Sequence, residues 1–247
     1  MNRKQTLPPR TAPDSQTESA RPIRVSIIIP ALNEANLIAD SIAKAWQANA
    51  DEVIVSDGGS TDQTIAVAER SNCKLVKTNP GRGQQLNAGA AIATGDILLF
   101  LHVDTWLDVR AAEQMRDALH DDACIGGGFK QRIDSKKFKF RMLEFGNYVR
   151  AKGQRLVYGD QGIFVRRSVF ESLGGFPEIP LMEDFVFSQT LFQGQQKPVI
   201  LPGPLHVDPR RWEKAGVLRQ TLRNWKTAAA FRLGASPESL YQRYYQD

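Results

Sequence analysis

Short apolar runs alternate along this chain with segments in which apolar residues recur at helical spacing. The apolar runs cover residues 23–29, 51–57, 73–78 and 96–104. The segments between them, residues 34–47, 61–71 and 84–95, are typical of helices, as in the stripe of Ile38, Ile42 and Trp46. Because strands and helices that alternate in this way form βαβ units, the pattern predicts an α/β fold with a mainly parallel sheet flanked by helices.

Acidic residues stand at the carboxyl ends of these predicted strands, where parallel sheets bind their ligands. Glu34 follows the first strand, Asp57 ends the second and Asp104 ends the fourth. His102 lies two positions before Asp104, and residues i and i+2 of an extended chain share a face. These residues predict a site for a cation or a phosphate, and the alternative that Asp57 only fixes a turn stays open.

The two ends of the chain differ from its middle. Residues 1–22 are rich in Pro, Ser, Thr, Gln and Arg, so we expect a disordered tail, followed by one domain over residues 23–247. Helices are predicted from about residue 216 onward, with Leu218, Leu222, Trp225 and Ala229 on one stripe among basic residues. This stripe fits packing against the rest of the domain, which we favour, or peripheral contact with a membrane surface.

Composition and charge narrow the class of protein. The chain has 247 residues, 42% of them hydrophobic, which is enough for a full core. Part of its net charge of +5 lies in the first 22 residues, and we expect no nucleic-acid partner. Cys73 and Cys124 are isolated and predicted to be reduced core residues. With no signal peptide and no apolar stretch near the ~20 residues that cross a bilayer, we expect a cytoplasmic protein, soluble or peripheral at the inner face of the membrane.

The glycines exclude two nucleotide-binding classes. The segment GRGQQLNAG, residues 81–89, has neither the GxGxxG spacing of dinucleotide-binding proteins nor the pattern of a phosphate loop. The first strand leads into PALNEAN, residues 30–36, and not into the glycine-rich loop expected of a nucleotidyltransferase. Arg82 remains a candidate phosphate contact, whereas Gln85 and Asn87 are compatible with packing of the helix.

Six motifs occur in an order that points to one family. They are SIIIPALNE (26–34), VSDGGSTD (55–62), GRGQQLNAGAAIATGDILLFLHVDT (81–105), YGDQGIFVRRSVFESLGGFP (158–177), LMEDFVFSQTL (181–191) and RRW (210–212). Together they resemble the motifs of family-2 glycosyltransferases of the GT-A fold, and they are most similar to a small bacterial subgroup of selenium-domain-associated transferases. The resemblance implies an inverting, metal-dependent transferase that moves a sugar from a nucleotide-sugar donor, in our interpretation a UDP-sugar, to a hydroxyl acceptor.

The resemblance also implies which residues bind the donor and a divalent metal, Mn²⁺ or Mg²⁺. The predicted nucleotide-sugar contacts are Pro30, Glu34, Asp57, Arg82, Asp104 and Arg211, the last chosen over Arg210 because it adjoins Trp212. HVD stands where the family commonly has DxD, so Asp104 matches the final, metal-binding Asp. His102 and the late His206 are candidate further ligands, and an imidazole at this site suits Mn²⁺ better than Mg²⁺.

The motif MEDF supplies the predicted catalytic residues. The resemblance makes Asp184 the general base and Glu183 its supporting neighbour, although both could be simple first-turn acids of a helix. Asp160, Gln161 and Trp212 are the predicted sugar and acceptor contacts. The altered metal motif leaves open a second function, that of a non-catalytic protein that binds nucleotide sugars.

Overall fold

The computed structural model describes residues 21–246, without the side chains of residues 211, 214, 215, 217, 218, 245 and 246. The strands in this range are β1 (Val25–Ala31), β2 (Glu52–Asp57), β3 (Lys74–Lys77), β4 (Ile97–Phe100), β5 (Thr105–Leu107), β6 (Gly126–Ile133), β7 (Ile163–Arg166) and β8 (Val199–Val207). The helices are α1 (Ile38–Gln47), α2 (Thr64–Glu69), α3 (Arg82–Ile92), α4 (Ala111–Leu119), α5 (Phe138–Gln154), α6 (Arg167–Ser172), α7 (Glu183–Leu191), α8 (Arg210–Ala215), α9 (Val217–Arg232) and α10 (Pro237–Gln246). The predicted tail, residues 1–22, lies outside this range except for its last two residues.

All strands of the described range belong to one sheet, in the order β3-β2-β1-β4-β7-β6-β8-β5. Strands β3, β2, β1 and β4 are parallel, as predicted, and β6 is parallel to β8. Strands β7 and β5 run antiparallel to their neighbours, so the sheet is mixed beyond β4. The strand order reverses at β1, which pairs with β2 on one side and with β4 on the other. Open α/β sheets bind ligands at such a switch point.

Alternate residues of β1 face opposite halves of the core, which explains its continuous apolar sequence. Ile27 and Ile29 pack in the cluster that contains Ile38 of α1 and Met115 of α4. Ile28 points to the other face and packs in the cluster that contains Leu86 of α3, together with Phe170 of α6 and Phe187 of α7. Helices therefore cover both faces of the sheet, so a ligand can reach the sheet only at the ends of its strands.

The fourth strand is shorter than predicted. β4 ends at Phe100, and His102 and Asp104 lie in the turn before β5, where the N–H of Thr105 donates to the carbonyl of His102 at 3.1 Å. The argument that these two side chains share the face of a strand is therefore wrong. It fails because the chain turns to begin β5, an edge strand that pairs with the distant β8.

The C-terminal helices occur as predicted, but α9 does not pack through the predicted stripe. Leu222 and Trp225 are 51% and 59% exposed, and the side chain of Leu218 lies outside the described residues. Instead, Ala228 and Phe231 contact the cluster of Leu156, Met182 and Phe185. The packed residue Ala228 immediately precedes Ala229 of the predicted stripe. Because successive residues are rotated by about 100° around a helix, this difference of one position moves the packed face by that angle.

The cysteines and the hydropathy of the helices can be stated briefly. Cys73 and Cys124 are free thiols, half-buried and buried respectively, as predicted. In the described part of the chain, no helix is both long and apolar enough to cross a membrane.

The close contact of α3 with the sheet predicts opposite effects of alanine at two helical glycines. A β-carbon at Gly89 would lie 2.4 Å from Cγ2 of Ile28 and 2.6 Å from Oγ of Ser56. Gly89→Ala should therefore lower the free energy of unfolding by about 1–3 kcal/mol. At Gly153 of α5, such a β-carbon would have no described heavy atom within 4 Å apart from its chain neighbours and the nearby backbone of its own helix.

Gly153→Ala is the matched control and should raise the free energy of unfolding by about 0.5–1 kcal/mol. The reason is that alanine has less conformational freedom than glycine in the unfolded chain, so it loses less on folding. Urea unfolding measures both values. Equal effects of the two substitutions would contradict the close approach of α3 to β1.

Candidate active site

A cavity of about 1660 Å³ opens at the switch point of the sheet. It is lined by Pro30 near the end of β1 and by the turn after β4. The first residues of α3 and α7 and parts of α5, α9 and α10 also line it. The cavity is thus the crevice in which an open α/β sheet binds its ligands, widened by the C-terminal helices.

The loop after β1 is fixed on both sides. The N–H of Glu34 donates to Oγ1 of Thr64 at 2.7 Å, which attaches the loop to α2. Nε2 of Gln85 donates to the carbonyls of Ala31 and Ser56 at 2.8 and 3.0 Å, and so joins the ends of β1 and β2. Glu34 and Pro30, two of the predicted donor contacts, both line the cavity.

Asp57 occupies a different position from the other predicted donor contacts. Its side chain is fully buried and does not line the cavity. Oδ2 accepts hydrogen bonds from the N–H groups of Gly59 and Ser60, both at 2.9 Å, which is the turn-fixing role left open above. Oδ1 is also buried, and no hydrogen bond reaches it from the residues that the structure describes. The structure thus gives Asp57 a role in shaping the loop beside the cavity.

His102 and Asp104 both line the cavity from the turn after β4. Asp104 is buried, and its Oδ2 lies 3.9 Å from Nη2 of Arg210. Arg210 also approaches Asp208, with Nε at 3.7 Å from Oδ2. The predicted phosphate contact Arg211 has a side chain outside the described residues, so the arginine placed at Asp104 is its neighbour, Arg210.

The structure does not bring His206 to this site. His206 lies in β8 opposite Trp106 of β5, and the two rings stack 5.3 Å apart at an angle of 4°. The ammonium group of Lys44, on α1, lies 4.1 Å from the centre of the Trp106 ring. Burial lowers the pKa of His206. The pairing of β8 with β5 therefore places this imidazole beside α1, away from the cavity lining.

Two of the three predicted sugar contacts, Gln161 and Trp212, are buried and have packing roles outside the cavity lining. Gln161 is buried, and its Oε1 accepts a hydrogen bond from the N–H of Tyr158 at 3.2 Å, which closes a 3-10 turn. Trp212 is buried in a small cluster with Phe140, 6.4 Å between ring centres. Neither residue lines the cavity, whereas Asp160 does.

The predicted general base is held by two backbone groups. Oδ2 of Asp184 accepts a hydrogen bond from the N–H of Gly159, and Oδ1 accepts one from the N–H of Phe185, both at 2.7 Å. A carboxylate oxygen has two lone-pair sites, so each oxygen keeps a second one. A β-carbon at Gly159 would lie 2.7 Å from Nε2 of His102 and 3.1 Å from Oδ2 of Asp184. The side chains of His102 and Asp184 therefore both lie close to Gly159, where there is no room for a side chain.

Glu183 connects α7 with the first residue of α3. Its side chain is 4% exposed, and Oε1 lies 3.1 Å from Nε of Arg82. Burial, and then the charge of Asp184, raise the pKa of Glu183 to about 7, although Arg82 acts in the opposite direction. The carboxyl group is thus close to half-protonated at neutral pH. Arg82 lines the cavity, so the predicted phosphate contact is positioned by this pair.

The residues at the cavity fit a divalent cation that binds together with a diphosphate. Among the residues described, no three His, Cys, Asp or Glu side chains group as a complete metal site. Asp104 and His102 supply one carboxylate and one imidazole. Mg²⁺ is commonly bound through one or two carboxylates and the phosphates of a substrate, and imidazole is a suitable ligand for transition metals.

The wall of the cavity formed by α5 was not predicted from the sequence. Met142, Phe145 and Val149 line the cavity from this helix, and Arg150 stacks on Tyr158 with its guanidinium carbon 4.1 Å from the ring centre. The signal was present, because these apolar residues recur at helical spacing among basic ones. Trp225 of α9 lines the same cavity.

The protein belongs to glycosyl transferase family 2, whose family model matches residues 26–174. The motifs predict this family membership, and it favours an enzyme over a non-catalytic binding protein. A PGL/p-HBAD biosynthesis glycosyltransferase of Mycobacterium bovis is 28% identical over 225 residues, which cover 80% of this chain and 79% of the relative. A glucosyl-3-phosphoglycerate synthase of Mycobacterium tuberculosis is 36% identical over 92 residues, 32% of this chain, but the match spans only 28% of the synthase.

Solved structures confirm the predicted GT-A fold. The mannosyltransferase PcManGT from Pyrobaculum calidifontis, in complex with GDP-Man and Mn²⁺, has a TM-score of 0.64 at 23% identity, over 89% of this chain and 67% of its own. Glucosyl-3-phosphoglycerate synthase from Mycobacterium tuberculosis, in complex with Mn²⁺, UDP and glucosyl-3-phosphoglycerate, has a TM-score of 0.53 at 21% identity, over 75% of this chain and 71% of its own.

The raised pKa of Glu183 predicts how the stability of the protein depends on pH. Between the ordinary value of 4.5 and about 7, the native state holds a proton that the unfolded chain has lost. Ionisation of Glu183 therefore lowers the free energy of unfolding as the pH rises through this range. Glu183→Gln lacks this ionisation, so its stability relative to the parent should rise by roughly 2–3 kcal/mol from about pH 4.5 to about pH 8.

Urea unfolding across this pH range measures the difference. Glu178→Gln, at an exposed carboxyl group that lines the same cavity, is the control. If the pH dependence of Glu183→Gln differs from that of the parent no more than this control does, the carboxyl group of Glu183 is not desolvated as described.

Proposed function

We propose that this glycosyltransferase moves a sugar from a UDP-linked donor to an acceptor hydroxyl, with inversion and with a divalent cation bound at the diphosphate. The observation that carries the proposal is the convergence of three segments at one end of the cavity. The turn after β4 contributes Asp104, the start of α3 contributes Arg82, and the start of α7 contributes Asp184. These are the groups needed to hold a diphosphate and to accept the proton of a hydroxyl.

The donor nucleotide is assigned to the ends of β1 and β2. Glu34 lines the cavity here, and its carboxylate can accept hydrogen bonds from ribose hydroxyls. Asp57 contributes by fixing the turn that borders this region. The choice of uridine is supported by the solved complex of the related fold with UDP, whereas another such complex holds GDP-Man.

The diphosphate is assigned to Arg82, Arg210 and the turn after β4. Guanidinium groups pair with phosphate oxygens through two parallel hydrogen bonds and stay protonated at neutral pH. Asp104 and His102 are the residues that would hold the cation, and Mn²⁺ in both solved complexes supports a divalent metal. When bound, such a cation supplies positive charge against the leaving diphosphate.

Inversion requires a single displacement at the anomeric carbon. The acceptor oxygen forms its bond to this carbon from the side opposite the diphosphate, and the bond to the diphosphate oxygen breaks with its electron pair. The hydroxyl proton passes to Asp184, whose oxygens each keep a lone-pair site. A positioned base of this kind contributes about 10²–10⁴ in rate. Arg82 and Arg210 stabilise the negative charge that develops on the diphosphate.

Two isosteric substitutions separate the chemical step from donor binding. Asp184→Asn keeps the shape of the side chain but cannot take the proton, so release of the sugar from UDP-sugars should fall at least about a hundredfold. Its affinity for UDP with Mn²⁺ should equal that of the parent. Asp104→Asn should instead lose the increase in UDP affinity that Mn²⁺ produces, because the anionic ligand of the cation is gone.

Calorimetry with UDP, with and without Mn²⁺, gives the affinities, and a panel of UDP-sugars with water as acceptor gives the rates. The proposal fails if Asp184→Asn turns over donor as fast as the parent. It also fails if Asp104→Asn keeps the full effect of Mn²⁺ on UDP affinity.

A further inference from the structure

The cavity lining includes large apolar residues as well as the polar groups of the candidate site. His102, Asp104 and Asp184 line the cavity near the ends of β1 and β4. Among polar neighbours such as Asn147 and Asn224, two helices contribute apolar residues: Met142, Phe145 and Val149 from α5, and Trp225 and Ala228 from α9. We refer to these five residues as the apolar groove.

The residues of the apolar groove are unusually exposed for their type. Met142, Phe145 and Trp225 are 64%, 68% and 59% exposed. Single exposed apolar residues are normal on protein surfaces, but a group of large ones marks a binding site. These three side chains contribute little to the stability of the fold by burial, so a ligand that covers them gives a reason for their position.

The apolar groove continues into the catalytic end of the cavity. Tyr158 lies next to Gly159, whose N–H holds Asp184, and its ring packs against Phe185 at 6.0 Å. The guanidinium of Arg150 stacks on the ring of Tyr158, and Arg150 follows Val149 in α5. A molecule whose hydroxyl group is at Asp184 can therefore extend along this wall into the groove.

The dimensions allow a second ligand beside the donor. Ligand pockets commonly measure about 300–1,000 Å³, and this cavity measures about 1660 Å³. The stretch of α5 from Met142 to Val149 is about 10 Å long at the rise of an α-helix. This length suits a short alkyl chain or an aromatic ring system.

We propose that the acceptor is an amphiphile, with its reacting hydroxyl at Asp184 and an alkyl or aryl part in the apolar groove. The inference rests on the proposed function and names the chemical class of its acceptor. Because the apolar groove lines the same cavity as Asp184, it suits the apolar part of a bound acceptor better than a bilayer surface.

Two phenylalanines of α5 provide a matched pair of variants. Phe145 lines the cavity, whereas Phe138 is 75% exposed on the same helix and does not line it. Phe145→Gln and Phe138→Gln remove the same apolar group from exposed positions, so both variants should fold. Their thermal unfolding midpoints serve to verify this.

The probes are n-alkyl glucosides from butyl to octyl, used below micelle-forming concentrations with UDP and Mn²⁺ present. Because burial of a methylene group is worth up to about fourfold in affinity, the affinity of the parent should rise two- to fourfold per methylene. Phe145→Gln should lose most of this increment, and Phe138→Gln should keep it. Calorimetry measures the dissociation constants.

An affinity that does not depend on chain length, or an increment lost equally in both variants, overturns the inference. Cosedimentation of the protein with anionic-lipid vesicles that needs Phe138 as much as Phe145 would assign these residues to a membrane surface instead. A dimer that Phe145→Gln dissociates would assign the groove to a second copy of the chain. Failure of the parent to bind UDP with Mn²⁺ contradicts the proposed function, whereas normal UDP binding without dependence on chain length contradicts the acceptor class alone.

Discussion

The parallel pairing of β1 with both β2 and β4 is the constraint on which the site depends. The three strands end at the same edge of the sheet, so the loops that follow them are neighbours. The helix α1 that follows β1 packs on one face of the sheet, and the helix α3 that precedes β4 packs on the other. The loops therefore separate at the edge and leave a crevice, into which the first residue of α3, Arg82, and the turn with Asp104 both project.

Two acidic side chains at this crevice each lie close to an arginine. Asp104 lies within 3.9 Å of Arg210, and Glu183 lies 3.1 Å from Arg82. Burial raises the pKa of Glu183 to about 7, so this carboxyl group carries less negative charge at neutral pH than an exposed glutamate. A site that must accept a diphosphate benefits from this, because each additional carboxylate would repel the phosphate oxygens.

The sequence was informative where local pattern decides the structure. Apolar runs and helical spacing are local, so β1 to β4 and the helices between them were predictable, and with them the positions of Glu34, Asp57 and Asp104 at one edge. His206, Gln161 and Trp212 were placed in the site by resemblance, but their side-chain directions depend on long-range pairing, such as that of β5 with β8. The apolar wall of α5 was missed for a related reason, because helical spacing of Met142, Phe145 and Val149 looks the same for a core helix and for a cavity wall.

The stereochemistry of the first product tests the central claim, that Asp184 activates an acceptor for a single displacement. Proton NMR can follow the sugar released from an α-linked UDP-sugar, or transferred to an acceptor alcohol, before the released sugar equilibrates between its anomers. The account predicts that the first product is the β-anomer. An α-anomer as the first product would contradict a single displacement and remove Asp184 from its assigned role.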